Sequence, residues 1–441
     1  MIRDKIKEWY GIDDYSFDTV MESDHLLSEK FKELENLEFV NQLKVLKAFQ
    51  DNKLQATDFA STTGYGYGDV GRDKCEAIFR DIFKAEDCLV RPSIASGTHA
   101  LSLLMKGALL PGDKLLYITG LPYDTLQEVI GIEGNSPCNL KEFGIDFDYV
   151  DLVDNEINLK AVESKIDSTV KMIAIQRSTG YSLRNAINIE QIERAAQFIK
   201  EKFPEIIIMV DNCYGEFTEY KEPIEVGCDV IAGSLIKNPG GGIALSGGYI
   251  AGKKSIIDRV ANTLTAPGIG KEVGITFGTT RNTLQGLFLA PKITIEAMKS
   301  ALLFSHVFKK LGFKTIPDVE DKRSDIICAI ILKNEERVVE FCRSIQESSV
   351  VDSHVVPYPW DMPGYDDKVI MASGSFIDGS SIEISADGPL REPYVAYFQG
   401  SLTYKQALLA CMKVVMNLKN KKLIWNNNSL LVITIIRRLV F

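Results

Sequence analysis

The sequence predicts an α/β protein with a large domain, built on a mostly parallel sheet between helices, and a smaller α+β domain C-terminal to it. From about residue 87 to 260, apolar runs with almost no polar alternation are separated by helical segments. Strands that are apolar on both faces are typical of a parallel sheet covered on both sides. From about residue 312 the pattern changes to a different mixture of segments. The 441 residues exceed what one simple core usually holds and suggest two or three domains.

Residues 1–60 are predicted to form an N-terminal helical segment. The stretch EKFKELENLEFVNQLKVLKAFQ places its apolar residues at helical spacing. The glycine-rich STTGYGYGDVGRD then interrupts the pattern, and KCEAIFRDIFKAED is helical again.

Residues 61–300 are predicted to form the large domain. Its strand candidates are CLVRPSI, DKLLYITG, VKMIAIQ, EIIIMVD, CDVIAGSLIK and GGYIAGK. Helices are predicted to begin at SGTHAL and PYDTLQ, to span NIEQIERAAQFIKEKFP, and to occupy residues 280–310. Because ligands of open α/β sheets bind beyond the carboxyl ends of the strands, the residues that follow each strand are the candidates for a site.

Residues 301–420 are predicted to form the small domain. Its candidate elements are FKTIPD, IICAIILK, HVVPYP, KVIMASGSF and SSIEISAD, with helices over ERVVEFCRSIQ and YKQALLACMKVVMNLK. The tail, residues 421–441, is atypical: LIWNNNSLLVITIIRRLVF is apolar but is interrupted by asparagines and arginines, and it is short for a membrane span. A buried terminal strand, a partner contact or an artefact of the sequence end are the other interpretations, and we expect no membrane association.

Composition narrows the class of protein. The formal net charge of -10 argues against broad nucleic-acid binding, which needs basic patches. The eight cysteines are scattered without a CxxC pair and the four histidines form no ligand cluster, so we predict reduced thiols and no metal site. The N-terminus MIRDKIKEWYGIDD lacks the apolar core of a signal peptide, and we expect a cytoplasmic protein.

Three strand ends carry residues that could bind a ligand. Ser96, Gly97 and Thr98 open a helix, where backbone N–H groups can bind a phosphate or the serine can be a simple N-cap. Tyr123 can stack on a planar ligand, although a packed tyrosine would have the same pattern. Asp211 ends an apolar strand, where a carboxylate is costly to bury unless it meets a cation or caps a helix.

A lysine occupies the fourth strand end. Lys237 lies in GSLIKNPGGG, three residues after Ser234 and before three glycines. A lysine that loses its charge by desolvation, or beside another cation, can attack a carbonyl carbon, whereas most single lysines in loops are merely solvated. A phosphate cradle, a stacking ring, a carboxylate and a lysine are together the parts that hold pyridoxal 5'-phosphate. We predict that Lys237 forms the Schiff base and moves a proton, and that Asp211 faces the pyridinium nitrogen.

Five longer segments extend this prediction: GYGYGDVGRD, RPSIASGTHAL, LTAPGIGKEVG, LQGLFLAP and SADGPLREPYVAYFQGSLTY. With them the chain resembles the cystathionine/methionine-lyase group of fold-type I pyridoxal-phosphate enzymes, and more closely the branch of aluminium-resistance or methionine gamma-lyase-like proteins. The resemblance spans about residues 20–418 and excludes the tail. It implies the transferase-like fold of that enzyme class, with Lys237 and Tyr123 as catalytic residues and Tyr123 stacked on the cofactor ring.

The resemblance also implies shared active sites. In the lyase group, a tyrosine and an arginine from a neighbouring subunit complete the phosphate site. Tyr65, Tyr67 and Arg72 lie in the corresponding glycine-rich segment, and either tyrosine could be the one that acts. A homodimer is then the minimum assembly, and the resemblance favours a homotetramer.

Arginines are the candidates for binding the substrate. The group holds the substrate carboxylate with an arginine of the small domain, and Arg391 in GPLREP could grip a carboxylate with both arms of its guanidinium. The segment IQRSTGYSLR departs from the Pro-Asn pattern of better-known lyases, so Arg177 or Arg184 could take an anion-binding role instead.

The resemblance implies a carbon–sulfur lyase that acts on a sulfur-containing amino acid by β- or γ-elimination. Two alternatives stay open. The same lysine and carboxylate would serve an aminotransferase, a racemase or an aldolase, because the cofactor carries the chemistry. A non-catalytic stress or metal-resistance binding protein is the other, although the sequence offers no dense set of metal ligands.

Overall fold

A seven-stranded sheet organises the first part of the chain. The computed structural model describes residues 1–65, 68–362 and 367–424. The strands are β1 (Asp87–Arg91), β2 (Lys114–Tyr117), β3 (Asp146–Tyr149), β4 (Val170–Gln176), β5 (Ile207–Asp211), β6 (Val230–Ser234) and β7 (Gly248–Gly252). Their order is β1-β7-β6-β5-β4-β2-β3, and neighbours are parallel except that β7 runs antiparallel to β1 and β6. The predicted mostly parallel sheet is confirmed.

The N-terminal helices pack on two different cores. Phe17 and Phe31 join the core around the C-terminal part of the chain, whereas Val45 joins the core of the large sheet. The segment is helical, as predicted, but it connects the two parts of the molecule. Its helices are α1 (Ile2–Tyr10), α2 (Asp14–Leu26) and α3 (Ser28–Asp51).

Helices bury both faces of the large sheet. Along β5, Ile208 and Val210 enter one core and Met209 enters the core on the opposite face. This explains why the strand has almost no polar residues. The helices here are α4 (Val70–Phe83), α5 (Gly97–Ala108), α6 (Asp124–Ile130), α7 (Leu159–Lys165), α8 (Ile189–Lys202) and α9 (Lys254–Leu264).

A 31-residue helix, α10 (Thr280–Lys310), joins the two parts. Its Leu284 packs in the core of the large sheet, and its Phe304 and Phe308 pack in the C-terminal core. The helix predicted for residues 280–310 is confirmed, and the domain limit predicted at residue 300 lies inside it.

A five-stranded antiparallel sheet forms the C-terminal part. Its order is β10-β11-β12-β9-β8, and α11 and α12 belong to the same core. These elements are β8 (Lys314–Ile316), β9 (Ile327–Ile331), α11 (Glu335–Glu347), β10 (Val369–Ser373), β11 (Ser385–Pro389), β12 (Val395–Gln399) and α12 (Tyr404–Asn420).

Three strand assignments differ from the sequence pattern. HVVPYP forms no strand, because Val355 and Val356 are exposed rather than turned into a core. β12 was not predicted, yet it is buried along its whole length between β11 and β9. β3 was also not predicted, because this four-residue edge strand has no fully buried side chain to mark it.

Some predictions fall outside the described residues. Tyr67 and residues 425–441 of the tail belong to this group. Among the helices of the described ranges, none is long and apolar enough to cross a membrane.

Candidate active site

A cavity of about 480 Å³ lies at the carboxyl ends of β4, β5 and β6, where the C-terminal sheet closes over them. Its size is typical of a small-molecule site. The predicted site residues that line it are Ser96, Gly97, Thr98, Tyr123, Asp211, Ser234, Lys237 and Arg391. The structure therefore brings together, from both parts of the chain, residues that are up to 295 positions apart.

The N-terminus of α5 forms one corner of the cavity. Ser96 is the N-cap, and its Oγ accepts a hydrogen bond from the His99 N–H at 3.1 Å. Gly97 lets the start of α5 pack closely on the strand ends, since a Cβ on it would lie 3.2 Å from Cys213 Sγ and 3.4 Å from Ser234 Cβ. The free N–H groups and the helix dipole favour an anion here.

Tyr123 is held at the start of α6 by two hydrogen bonds. Its backbone N–H donates to Gln176 Oε1 at 2.9 Å, and its hydroxyl lies 2.9 Å from Thr98 Oγ1. Burial raises the pKa of the Tyr123 phenol, and the Asp211 charge adds to this, so the group keeps its proton near neutral pH. The ring is therefore fixed beside the anion-binding corner.

Asp211 ends β5 as a buried carboxyl group. Its Oδ1 accepts a hydrogen bond from the Cys213 N–H at 3.1 Å. Burial raises its pKa, while Lys237 and the Cys213 hydrogen bond oppose that shift. In the described part of the chain Asp211 makes no ion pair within 4 Å and is attracted only at longer range by Lys237, so this end of the cavity favours a cationic group.

Lys237 follows β6 and enters the cavity from a tight turn. Gly240 and Gly286 permit the close packing of this turn on α10, since a Cβ on Gly286 would lie 2.1 Å from the Gly240 carbonyl oxygen. Lys237 Nζ lies 4.1 Å from the centre of the Tyr214 ring. Burial lowers the pKa of the amine, but Cys213, Tyr214 and Asp211 outweigh it and raise the pKa. The neighbours of Lys237 therefore favour its protonated form.

The C-terminal sheet supplies the opposite wall. Arg391 is half exposed, and its Nη1 lies 3.3 Å from Asp367 Oδ2. Tyr397 on β12 donates its hydroxyl to the Tyr181 carbonyl oxygen at 2.6 Å. Asp387 on β11 faces Tyr397 across the strand pair and also lines the cavity.

The prediction that Arg177 binds a substrate anion is wrong. The guanidinium is fully buried, donates to Asn212 Oδ1 at 2.9 Å and pairs with Glu219 at 3.0 Å. Arg184, the alternative, donates to backbone carbonyls of residues 176–185. Arg184 holds the loop after β4 through its own neighbours, whereas Arg177 ties the end of β4 to the segment after β5. The role of Arg177 could not be predicted from the sequence because its partners lie 35 to 45 positions away.

Tyr65 and Arg72, the predicted residues of the glycine-rich segment that the structure describes, do not line this cavity in their own chain. Arg72 is 2 % exposed and donates to the carbonyl oxygens of Glu272 and Gly274, so its predicted role in a neighbour's phosphate site is corrected to a structural one. Tyr65 is 82 % exposed and is free to reach another subunit. The prediction for Tyr65 stays untested without a partner chain.

Sequence reasoning missed several cavity residues. Tyr214 contacts the lysine, and Asp387, Tyr181 and Tyr397 form the far wall. Asp387 lies in SADGPLREP, one of the segments that carry the family resemblance, but a single carboxylate gave no signal of burial. Within the ranges that the structure describes, no group of three or more His, Cys, Asp or Glu side chains could hold a metal ion.

Comparison with known proteins connects this cavity to a family. The family model described as methionine gamma-lyase matches residues 16–419. An uncharacterized protein of Bacillus subtilis, YnbB, is 46% identical over 408 residues, which are 92% of this chain and 97% of the relative.

Solved structures agree with the family match. The structure of a carbon-sulfur lyase involved in aluminum resistance from Clostridium novyi NT has a TM-score of 0.90 and 46% identity, with 93% of this chain and 98% of the other covered. A structure from Campylobacter jejuni that contains N'-pyridoxyl-lysine-5'-monophosphate has a TM-score of 0.53 at 17% identity, with 78% of this chain and 84% of the other covered. This more distant likeness shows the fold alone.

Proposed function

Because the chain belongs to the methionine gamma-lyase family, we propose that it is a pyridoxal-phosphate-dependent carbon–sulfur lyase. Its substrate is a sulfur-containing amino acid, which it cleaves by β- or γ-elimination. One observation carries the proposal: a lysine, a buried carboxylate and an open helix N-terminus converge on one cavity.

The residues present fit the cofactor. The corner at Gly97 has no side chain and so leaves room for a phosphate beside the α5 N–H groups. Asp211 is a buried carboxylate without an ion-pair partner in the described chain, and a protonated ring nitrogen would supply the missing cation. Lys237 has the primary amine that would hold the cofactor's aldehyde carbon, and Tyr123 would offer it a fixed aromatic face. When bound, pyridoxal phosphate supplies an electron-accepting ring conjugated to the substrate's α-carbon.

The chain's own residues move the protons. Neutral Lys237 Nζ is the base that removes the α-proton, and the resulting ammonium can return a proton to the product. Asp211 is one of the neighbours that raise the pKa of the amine, after Cys213 and Tyr214, so a cation bound to Asp211 would lower that pKa. Tyr123 keeps its phenolic proton and is the candidate donor to the departing sulfur.

The substrate is oriented by the far wall. Arg391 is the cationic side chain there, and it would bind the α-carboxylate of the substrate. To do so, its guanidinium would leave the exposed ion pair with Asp367, which contributes little energy. The sulfur-bearing fragment leaves from the β or γ carbon, and the remaining unsaturated amine hydrolyses to a keto acid and ammonia.

The proposal includes assembly and location. We propose a homodimer or homotetramer in which Tyr65 or Tyr67 of one subunit contacts the phosphate bound by its neighbour. We also propose that the protein is cytoplasmic. Mixing a Tyr65→Ala, Tyr67→Ala double variant with a Lys237→Ala variant should restore part of the activity, because a mixed dimer contains one intact shared site.

The absorption spectrum tests the proposed function. The purified protein with added pyridoxal phosphate should show a visible band that is lost or shifted in Lys237→Ala but kept in Lys254→Ala, an exposed lysine away from the cavity. Sulfur amino acids should then yield ammonia and a keto acid without an amino acceptor. Absence of the band from the wild type would refute the cofactor assignment, and a requirement for an acceptor would favour an aminotransferase.

A further inference from the structure

Tyr117 is a fully buried tyrosine at the end of β2 that does not line the cavity. Its ring packs in the apolar cluster that α5 and α6 cover, next to Phe147 of the edge strand β3. Its hydroxyl oxygen is shielded from solvent and has no hydrogen-bond partner among the described residues. A buried hydroxyl without a partner costs free energy, and a phenylalanine would fill the same space without that cost. The hydroxyl at this position therefore indicates a role other than packing.

The register of the sheet places Tyr117 on the same face as Asp211. Tyr117 of β2 pairs with Ala174 of β4, and Ala174 pairs with Met209 of β5. These three side chains belong to one apolar cluster. Because side chains alternate along a strand, Asp211 lies on the same face as Met209, two residues before it. Ala174 offers only a methyl group between the two outer strands, which leaves the space across β4 to the tyrosine ring.

The negative charge that acts on the hydroxyl is that of Asp211. Burial raises the pKa of the Tyr117 phenol well above its usual value and the charge of Asp211 raises it further, so the phenol keeps its proton. Tyr123, the other ionisable group that acts on Tyr117, also keeps its proton and is neutral. Because no described residue accepts the Tyr117 proton, the O–H bond can turn, and its dipole orients in the field of the buried carboxylate.

Asp211 needs such a dipole when it is ionised. Burial raises the pKa of its carboxyl group, which means that the surroundings favour the neutral form. Two groups of the described chain oppose this shift: the Cys213 N–H, which donates to Oδ1 at 3.1 Å, and Lys237, which attracts the charge at longer range. Because Tyr117 does not line the cavity, its hydroxyl can add to these two without taking the place of a ligand.

We propose that Tyr117 is a positioning residue whose hydroxyl stabilises the ionised carboxylate of Asp211, and with it the protonated ring nitrogen that Asp211 would hold. The inference rests on the proposed function, because this charge is useful only when a ring nitrogen binds at Asp211. Tyr117 touches neither the substrate nor the cofactor, so its effect passes through Asp211.

Removal of one oxygen atom tests the inference. Tyr117→Phe deletes only the hydroxyl. Tyr404→Phe is the matched control, because Tyr404 is a buried tyrosine outside the cavity whose hydroxyl donates to Asp24 Oδ1 at 2.7 Å. Calorimetry measures the binding of pyridoxal phosphate to each cofactor-free protein, and urea unfolding measures its stability. The NMR chemical shift of the ring nitrogen of bound, isotopically labelled cofactor reports whether that nitrogen carries a proton.

Tyr117→Phe should weaken the binding of pyridoxal phosphate about three- to tenfold, the range that one hydrogen-bonding group contributes. The ring-nitrogen shift should move toward that of the unprotonated ring. In an Asp211→Asn background, Tyr117→Phe should have no further effect on affinity, since the charge that the hydroxyl stabilises is absent. The control should behave in the reverse way: Tyr404→Phe breaks a hydrogen bond, so it should lower the resistance to urea more than Tyr117→Phe does and leave cofactor binding unchanged.

Three results would overturn the inference and leave the proposed lyase function intact. The first is an unchanged affinity and ring-nitrogen shift in Tyr117→Phe. The second is an equal loss of affinity in the Asp211→Asn background, because the hydroxyl would then act by another route. The third is a loss of urea resistance as large as that of the control, which would show that the hydroxyl has a structural partner. Failure of the wild type to bind pyridoxal phosphate would instead overturn both proposals together.

Discussion

Asp211→Asn should weaken cofactor binding without weakening the empty fold. The substitution keeps the size of the side chain and the Oδ1 acceptor for the Cys213 N–H. It removes a charge that, within the described chain, has no ion-pair partner. A hydrogen bond between charged groups contributes about 1.5–3 kcal/mol, so its loss should weaken pyridoxal phosphate binding about 10- to 100-fold.

For the protein without cofactor, Asp211→Asn should have the opposite effect and should not lower the free energy of unfolding. The folded pKa of Asp211 is raised above its ordinary value of 3.8, so ionisation of this group destabilises the fold as the pH rises through that region. The asparagine variant without cofactor should therefore resist urea at pH 7 as well as the wild type or better. This advantage should vanish below about pH 4, because Asp211 of the wild type is then protonated in both the folded and the unfolded protein.

Cofactor titration followed by calorimetry, and urea unfolding without cofactor, measure the two effects separately. Glu216→Gln is the matched control, since Glu216 is a buried carboxyl group near Lys237 that does not line the cavity. Unchanged affinity in Asp211→Asn would refute the assignment of Asp211 to the ring nitrogen. A marked loss of stability of the variant without cofactor would refute the claim that burial of the Asp211 charge outweighs its attraction to Lys237.

Three further predictions concern buried groups. Burial raises the pKa of Glu216 to about 8, so the stability gain of Glu216→Gln over the wild type should increase between pH 5 and pH 8, as measured by urea unfolding. Arg177→Gln leaves Glu219 and Glu222 without their buried cation and should lower the free energy of unfolding by about 3–5 kcal/mol in the same assay. Gly97→Ala presses a methyl group against Cys213 and Ser234 and so displaces the start of α5, and it should weaken binding of pyridoxal phosphate more than that of pyridoxal.

Different results would contradict each of these. A stability difference for Glu216→Gln that does not vary with pH would mean that the carboxyl group is not buried as a neutral acid. Arg177→Gln with wild-type stability would mean that the ion pairs are not needed. Equal weakening of both cofactor forms by Gly97→Ala would place the phosphate elsewhere.

The candidate ligand-binding residues at the strand ends could be predicted from the sequence, because local patterns mark where each strand ends. Apolar runs without alternation indicated buried parallel strands, and the residue after each run was therefore a candidate for the ligand edge. Ser96, Tyr123, Asp211 and Lys237 were found in this way, and all four line one cavity.

The roles of the arginines could not be predicted from the sequence, because the surroundings of a guanidinium decide whether it binds a ligand or stabilises the fold. Arg177 and Arg72 had suitable positions in the sequence, yet remote carboxylates and carbonyl groups enclose them. Asp387 shows the reverse: its sequence position carried no signal, and only the closure of the C-terminal sheet over β5 and β6 brings it to the cavity.

The sequence by itself therefore determined the α/β architecture and the strand-end residues, because periodicity and spacing are properties of neighbouring positions. The family was indicated by the resemblance of the longer segments. The tertiary structure alone decided which charges are satisfied and which are left facing the ligand. Burial and ion pairing depend on segments more than a hundred residues apart, such as Asp387 and the Lys237 turn, and no local pattern records which of them meet.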